Sequence, residues 1–526
     1  MKLARMDAVR LVLAIAAILA VWSGVRGAPF LSEDWTHLAE AARDASWRDA
    51  FDLAREPLRP LQHLVFHVLA DSPGAPGTPG VPNATAARAL SFALHAASAL
   101  LVFLLALEAA RVATRTNERP VGDGRAIDRA GHDGPASESR LDATAVRAAS
   151  GAALLFALAP NVKGLAWTAA ISTPGRACFV LAGLVLFARG LRRRSALDAA
   201  LFIASFLLAL AFHESAIVLP ALCLAWAVFA PEASTRLAAR ARAAWCALKR
   251  PELALVVLAT LAYVVYIAFL RPERHHGLKS FDSLPANAVK ASLALFPELL
   301  RANVVAFLRA HPGAGGIAAA GALFAALGAL AVWILRRGPF VARFALVAVA
   351  IDLVLPVLST GFNQRYAYLG SAFAAVALAA WAATTWKPWT LFGVIVLGGA
   401  WAFDTLRDAE EYDEAGRVAQ RIVDAACATR ARTPATVPVA IVDAPDVWGA
   451  EDDIPVFNWG LLEALDRAGC GRAFVLWRTR PFHTGTDVEL VTPERVRAAD
   501  EGGEAVVLRA DVEFPAFFGV RRAVER

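Results

Sequence analysis

The stretch "ALSFALHAASALLVFLLALEAA", residues 89–110, decides the fold class. It has one charged residue, Glu108, near its end. A helix needs about 20 predominantly apolar residues to cross the hydrocarbon of a bilayer, and this run meets that length. Similar runs recur at about 11–28, 148–167, 176–190, 197–212, 215–230, 252–270, 316–335, 343–360, 366–385 and 388–403. The pattern predicts a mainly α, polytopic helical membrane protein of about eleven spans. Composition agrees, with 57% hydrophobic residues over 526 positions and a mean hydropathy of +0.49. A soluble chain of that composition would expose too much apolar surface.

The net charge of +6 is not the mark of a nucleic-acid binder. No nucleic-acid motif is present, and the basic clusters "RVATRTNER", "LRRRS", "RLAARARAAWCALKR" and "RRG" all fall in loops of one parity. The positive-inside rule then places the N-terminus and these loops in the cytoplasm. The first 25 residues read as an uncleaved helix, with a cleaved signal peptide as the alternative. Outside lie the loops 29–88 and 271–315 and the tail 404–526. The localisation that follows is a bacterial inner membrane, multi-pass.

The division expected is a membrane domain, 1–403, and a small extracytoplasmic α/β domain, 404–526. The tail carries no Lys and a net charge of −8, against +14 for the rest. It alternates the strand-like pieces "PVAIVDA", "AFVLW" and "AVVLRADVEF" with helical ones. Cys427 and Cys470 both lie in it, so an oxidising location would permit a disulfide between them.

Chemistry-bearing residues gather at the outer ends of the apolar runs. In "APFLSEDWTHL", Glu33 and Asp34 are adjacent just after the first run. A carboxylate there can serve as a general base or hold a divalent metal, and it can equally cap the next helix, with Ser32 or Asp34 at the cap. In "REPLRPLQHLVFH", Pro60 can open a helix, and Arg59 can fork onto a phosphate or contact headgroups. His63 and His67 are four apart with no third ligand in view, which favours an interfacial face over a metal site. Lys163 and Arg176 flank the turn in "FALAPNVKGLAWTAAISTPGR", and His213 and Glu214 interrupt "LALAFHESAIVLPALCLAW". Arg365 lies among amide and aromatic neighbours, Tyr366 and Tyr368, in "LSTGFNQRYAYLGSAFAAVAL". His275 and His276 read as solvent-exposed, and Asn83 heads a formal glycosylation sequon. There is no P-loop or ATP-binding signature.

The order of these pieces resembles the GT-C superfamily of polyprenyl-phosphate-sugar-dependent glycosyltransferases, in particular the bacterial protein O-mannosyltransferase-like branch. The likeness covers roughly residues 10–400. The family's acid motif falls on Glu33 and Asp34, and its Y-R-P-L on Leu58 to Leu61 with the Tyr missing. Its K-E or similar before x-x-x-L-P falls on His213 and Glu214, with His in place of Lys, and its R-Y-x-Y-L on Arg365 to Leu369. The resemblance implies a lipid-phosphate sugar as donor and a protein, glycan or lipid hydroxyl as acceptor. It implies Asp34 as base ahead of Glu33, its shorter side chain being held more rigidly, and Arg59, Arg365, Arg176 and Lys163 as candidates for the donor phosphate. No cofactor is certain; a divalent metal is allowed. "APNVKGLAW" departs from the family pattern, and a small acidic domain replaces a repeat-containing tail. A lipid or glycan transporter and a non-catalytic scaffold are the competing classes.

Overall fold

The computed structural model describes residues 2–26, 30–44, 46–52, 59–71, 84–117, 136–159, 165–229, 237–266, 269, 284–296, 314–358, 364–385, 388–445, 447–448, 454–457, 460–471, 473–479 and 488–510. Lys163, Asn83, His275 and His276 lie outside them.

Helix α1 (Lys2–Val25) leads to a compact pair, α2 (Glu33–Arg43) and α3 (Pro60–Ala70), joined through a short 3-10 turn at Trp47–Phe51. The bundle continues with α4 (Ala84–Asn117), α5 (Ala136–Leu158), α6 (Ser172–Arg193), α7 (Ala196–Phe212), α8 (Leu219–Phe229), α9 (Leu237–Leu248), α10 (Pro251–Val265), α11 (Leu284–Leu293), α12 (Ala314–Arg337), α13 (Phe340–Leu358) and α14 (Tyr368–Thr385). Helices α4, α5, α6 and α14 pack closely, with α13 against α14 and α1 against α5.

Every apolar run carries helix in its described part. Among the described residues, Ala84–Ala110, Thr168–Arg193 and Phe340–Leu358 are long and apolar enough to cross a membrane. The helices are apolar outside as well as inside. Leu258 and Ile395 are each 62% exposed, and Leu19, Leu207 and Phe403 more than half exposed. Such faces would cost solubility in water but nothing in lipid. The chain is therefore a polytopic membrane protein.

Two boundaries differ from expectation. The run predicted as a span over 148–167 leaves the helix at Leu158 and re-enters as a 3-10 turn, Thr168–Ile171, that feeds α6. The break brings backbone near Ala169 to the site described below. The run ending near 403 does not stop there. Helix α15 extends from Pro388 to Arg432, 45 residues and about 68 Å at 1.5 Å per residue, so the 403/404 boundary falls inside one rigid helix.

Beyond α15 lies a four-stranded, all-parallel sheet. In chain order the strands are β1 (Val439–Val442), the small antiparallel pair β2 (Val447–Trp448) and β3 (Ile454–Pro455), β4 (Phe474–Arg478), β5 (Val488–Leu490) and β6 (Val506–Arg509). The sheet order is β5-β4-β1-β6, with α16 (Leu461–Arg467) and α17 (Pro493–Glu501) as crossovers. β1 is buried along its whole length, as expected of a central parallel strand. A disulfide joins Cys427 in α15 to Cys470 after α16, with Cα atoms 5.1 Å apart.

This domain touches the turn before α2. The Ser32 amide donates to the Val456 carbonyl at 2.8 Å. Gly460, at φ +83°, lies so close that a Cβ there would stand 2.5 Å from the Ser32 carbonyl oxygen and 3.0 Å from the Trp35 Cβ. Gly460→Ala is therefore expected to destabilise the protein by about 1–2 kcal/mol through backbone conformation alone, before the clash is added. A lowered melting temperature with protection lost at residues 30–36 in hydrogen exchange checks this; an unchanged melt would refute the contact.

Candidate functional site

Ser32 stands at the N-cap of α2 with φ 43° and ψ −117°, a conformation strained for any side chain. Strain of this kind persists only where neighbours over-determine it, and it clusters at functional sites. Here two constraints hold it: the Val456 carbonyl, and Asp34 two residues on. Neither Ser32 nor Asp34 caps the helix in the way the sequence suggested. Ser32 makes no side-chain cap bond. Asp34, fully buried in the first turn, folds back so that Oδ2 accepts the Leu31 amide at 3.0 Å, while Oδ1 accepts the Ala169 amide at 2.5 Å.

Ala169 is gripped on both sides. Its amide goes to Asp34, and its carbonyl accepts from Nε2 of Gln62 on α3 at 2.9 Å. Arg88 on α4 donates from Nε to the Ala166 carbonyl at 3.0 Å and sets its charge near Asp34. Burial pushes the Asp34 carboxyl up to about 6, against the lowering pull of the Leu31 amide, the Arg88 charge and the Ala169 amide.

With Asp34 turned inward, Glu33 faces a cavity of about 330 Å³. α2 contributes Glu33, Thr36 and His37; α3 and its N-cap contribute Gln62 and Arg59. Ala169 with Ser172 and Thr173, at the start of α6, form another wall, and His213 and Arg365 complete it. Pro60 at the first position of α3 fixes Arg59 at the helix mouth.

The charges are arranged in pairs. Arg59 forks onto Glu214, with Nε to Oε2 at 2.8 Å and a terminal guanidinium nitrogen to Oε1 at 2.6 Å. Arg365 lies over the Trp167 ring at 4.3 Å and near Tyr366 at 5.4 Å, a cation–π setting that orients the guanidinium. Arg176 is not on the cavity wall. It is buried behind it, 3.2 Å from Asp352 on α13, and donates to the Ser215 hydroxyl at 2.7 Å. The Ser215 amide donates to Nδ1 of His213 at 3.2 Å, and the Ser215 hydroxyl lies 2.9 Å from the same nitrogen. Nδ1 is thus the accepting nitrogen, which leaves the proton on Nε2. Burial, and then the Arg59 charge, push the His213 imidazole well below its ordinary value, so it is neutral at pH 7. Gly175 permits this arrangement, because a Cβ there would overlap the Phe212 ring that leads into His213.

Of the residues singled out in the sequence, Glu33, Arg59, His213 and Arg365 meet at the cavity, and Glu214 meets it through Arg59. Tyr368 does not: it is buried, and a 2.6 Å hydrogen bond joins its hydroxyl to His95 of α4. Tyr366 flanks Arg365. Sequence reasoning passed over Asp352, although a lone acid in the run 343–360 is itself a signal, since intramembrane carboxylates need a partner. It also passed over Gln62, Thr36, Ser172 and Thr173, which no local pattern marks.

No protein-family model matches the chain, and no curated protein matches it. Among solved structures it is similar to the crystal structure of ArnT from Cupriavidus metallidurans bound to undecaprenyl phosphate, at 14% identity over 95% of this chain and 89% of that one, with a TM-score of 0.41. A likeness of that degree leaves the chemistry to this chain's own residues.

Two outcomes follow from the buried acids. A carboxyl whose folded value is raised favours the folded state most below its unfolded value near 4, and that contribution fades as pH rises through 6. Relative to Asp34→Asn, the wild type is expected to lose about 3 kcal/mol of stability between pH 4 and 7. Melting curves of both proteins across that range check the sign. For the Arg176–Asp352 pair, Asp352→Asn or Arg176→Met alone should cost about 3–5 kcal/mol by stranding a buried charge, and the Arg176→Met/Asp352→Leu double variant markedly less. Additive losses in the double variant would contradict the pairing.

Proposed function

We propose that this chain is a membrane glycosyltransferase that moves a sugar from a polyprenyl-phosphate carrier to a hydroxyl acceptor outside the cytoplasm, with inversion. The observation that carries this is the cavity itself. One acid, Glu33, faces two oriented guanidinium groups, Arg59 and Arg365, across a gap lined by hydroxyls at the N-terminus of α6. Positive charge and a helix N-terminus favour a phosphate. A carboxylate opposite them favours a proton acceptor.

In this reading the Glu33 carboxylate takes the proton from the acceptor hydroxyl as its oxygen forms a bond to the anomeric carbon. The bond from that carbon to the phosphate oxygen breaks. The electron pair leaves with the polyprenyl phosphate, whose charge Arg59 and Arg365 stabilise. Of the two acids, Glu33 fits the base, because both Asp34 oxygens are occupied by backbone amides. Asp34 is then a positioning residue. His213 offers Nε2–H as a neutral donor, held in that tautomer by Ser215, with Arg176 behind it. Lys163, in the same segment, remains a candidate for the phosphate.

The lipid tail would lie along the apolar helix faces. The acceptor class we favour is that of the O-mannosyltransferase-like branch, a protein or glycan hydroxyl. The Cys427–Cys470 disulfide supports an oxidising side for the tail, and so a cytoplasmic N-terminus in a bacterial inner membrane.

The test is transfer from a labelled polyprenyl-phosphate sugar in proteoliposomes. Glu33→Gln should lower turnover at least about a hundredfold with an unchanged melt. Arg365→Ala should lose transfer while keeping the fold. Undiminished transfer in Glu33→Gln would overturn the assignment of the base. Lipid flux without transfer to any acceptor would favour a transporter.

A further inference from the structure

The pairing of α2 with α3 assembles a second cluster, one helical turn from Glu33. His37 and Glu40 of α2 and His63 of α3 converge, with one ligand atom from each lying within 4.8 Å of the others. His37 Nδ1 is 3.5 Å from a Glu40 carboxylate oxygen, and the two imidazole rings meet edge to face at 5.9 Å. His63 is buried, and the Glu40 side chain is 43% exposed, which leaves a route in from solvent. Nδ1 of His37 is buried and makes no hydrogen bond. The i, i+4 pair suggested by the sequence is split: His67 turns to the Ala41 carbonyl and to Asp71, while His63 turns across to α2.

From this we infer that His37, Glu40 and His63 form a binding site for one divalent transition-metal ion of the zinc class. Two imidazoles and a carboxylate are a zinc-type donor set with a position left open; magnesium and calcium prefer oxygens throughout. Metal–ligand distances of about 2.0–2.2 Å put tetrahedral donors about 3.3 Å apart. His37 and Glu40 are nearly there, and no two of the three donors are more than 4.8 Å apart. His37 also lines the cavity, so the cluster lies beside it. The ion would clamp α2 to α3 and so fix the spacing of Glu33 and Arg59, which the two helices carry separately. This inference stands on metal binding alone and survives or fails independently of sugar transfer.

The experiment uses the full chain in detergent, stripped with a chelator and titrated with Co²⁺ as an optical probe, followed by metal analysis after Zn²⁺ loading. The wild type is expected to bind one equivalent, with visible cobalt bands that Zn²⁺ abolishes. Glu40→Gln, on the exposed ligand and least able to disturb folding, should weaken binding tenfold or more. His37→Ala should lose the equivalent, and His67→Ala should bind like the wild type. Failure of the wild type to bind would overturn the proposal. So would unchanged binding in Glu40→Gln and His37→Ala, loss in His67→Ala equal to that in His37→Ala, or a preference for Mg²⁺ over Zn²⁺.

Discussion

The site depends on one carboxylate that does not face it. Asp34 joins two backbone amides 138 residues apart, that of Leu31 before α2 and that of Ala169 before α6. A carboxylate has only acceptors and can serve two amides at once, which neither a hydroxyl nor an amide side chain does without presenting a donor as well. Burying it costs desolvation energy, and the Arg88 charge offsets part of that. The result is a fixed relation between α2 and the start of α6, with Glu33 turned outward because Asp34 is turned in.

The cations follow a similar rule. A guanidinium free to swing would pair with whatever acid it could reach, and strongly so in a low-dielectric cavity. Here Glu214 holds Arg59 in a fork, Asp352 holds Arg176, and the faces of Trp167 and Tyr366 hold Arg365. The groups are oriented before any ligand arrives, which is how preorganised charge is most effective at stabilising an anion. The Ser215–His213 link extends this order to a neutral donor at the wall.

Much of the architecture was legible because it rests on one-dimensional signals. Apolar length gave the helices, Pro60 marked the start of α3, and alternation of strand-like and helical pieces marked the α/β character of the tail. What was not legible depends on contacts between distant segments. Whether Glu33 or Asp34 turns inward is decided by the Ala169 amide, which no pattern near residue 34 announces. Tyr368, three residues after the cavity-lining Arg365, begins the next helix and hydrogen-bonds to His95 instead. The His63–His67 spacing read as one helix face, but α2 gives the two different partners, the His37 ring for His63 and the Ala41 carbonyl for His67. The unbroken α15 hid behind a change of composition, since helical geometry is indifferent to the passage from apolar to acidic residues.

That helix changes how the acidic domain relates to the cavity. A flexible linker would have let the sheet move as a separate body. Helix α15 instead runs from the apolar bundle straight into the domain, packs on α1 at one end, and is stapled to the turn after α16 by Cys427–Cys470. α16 in turn lies on α2, and Val456 and Gly460 press on the strained Ser32. Strain at Ser32 persists only while both sides push, the membrane bundle through Ala169 and Asp34, the domain through Val456. The domain thus bears directly on the turn from which Glu33 enters the cavity wall, through Val456 on the Ser32 amide and Gly460 on the Ser32 carbonyl.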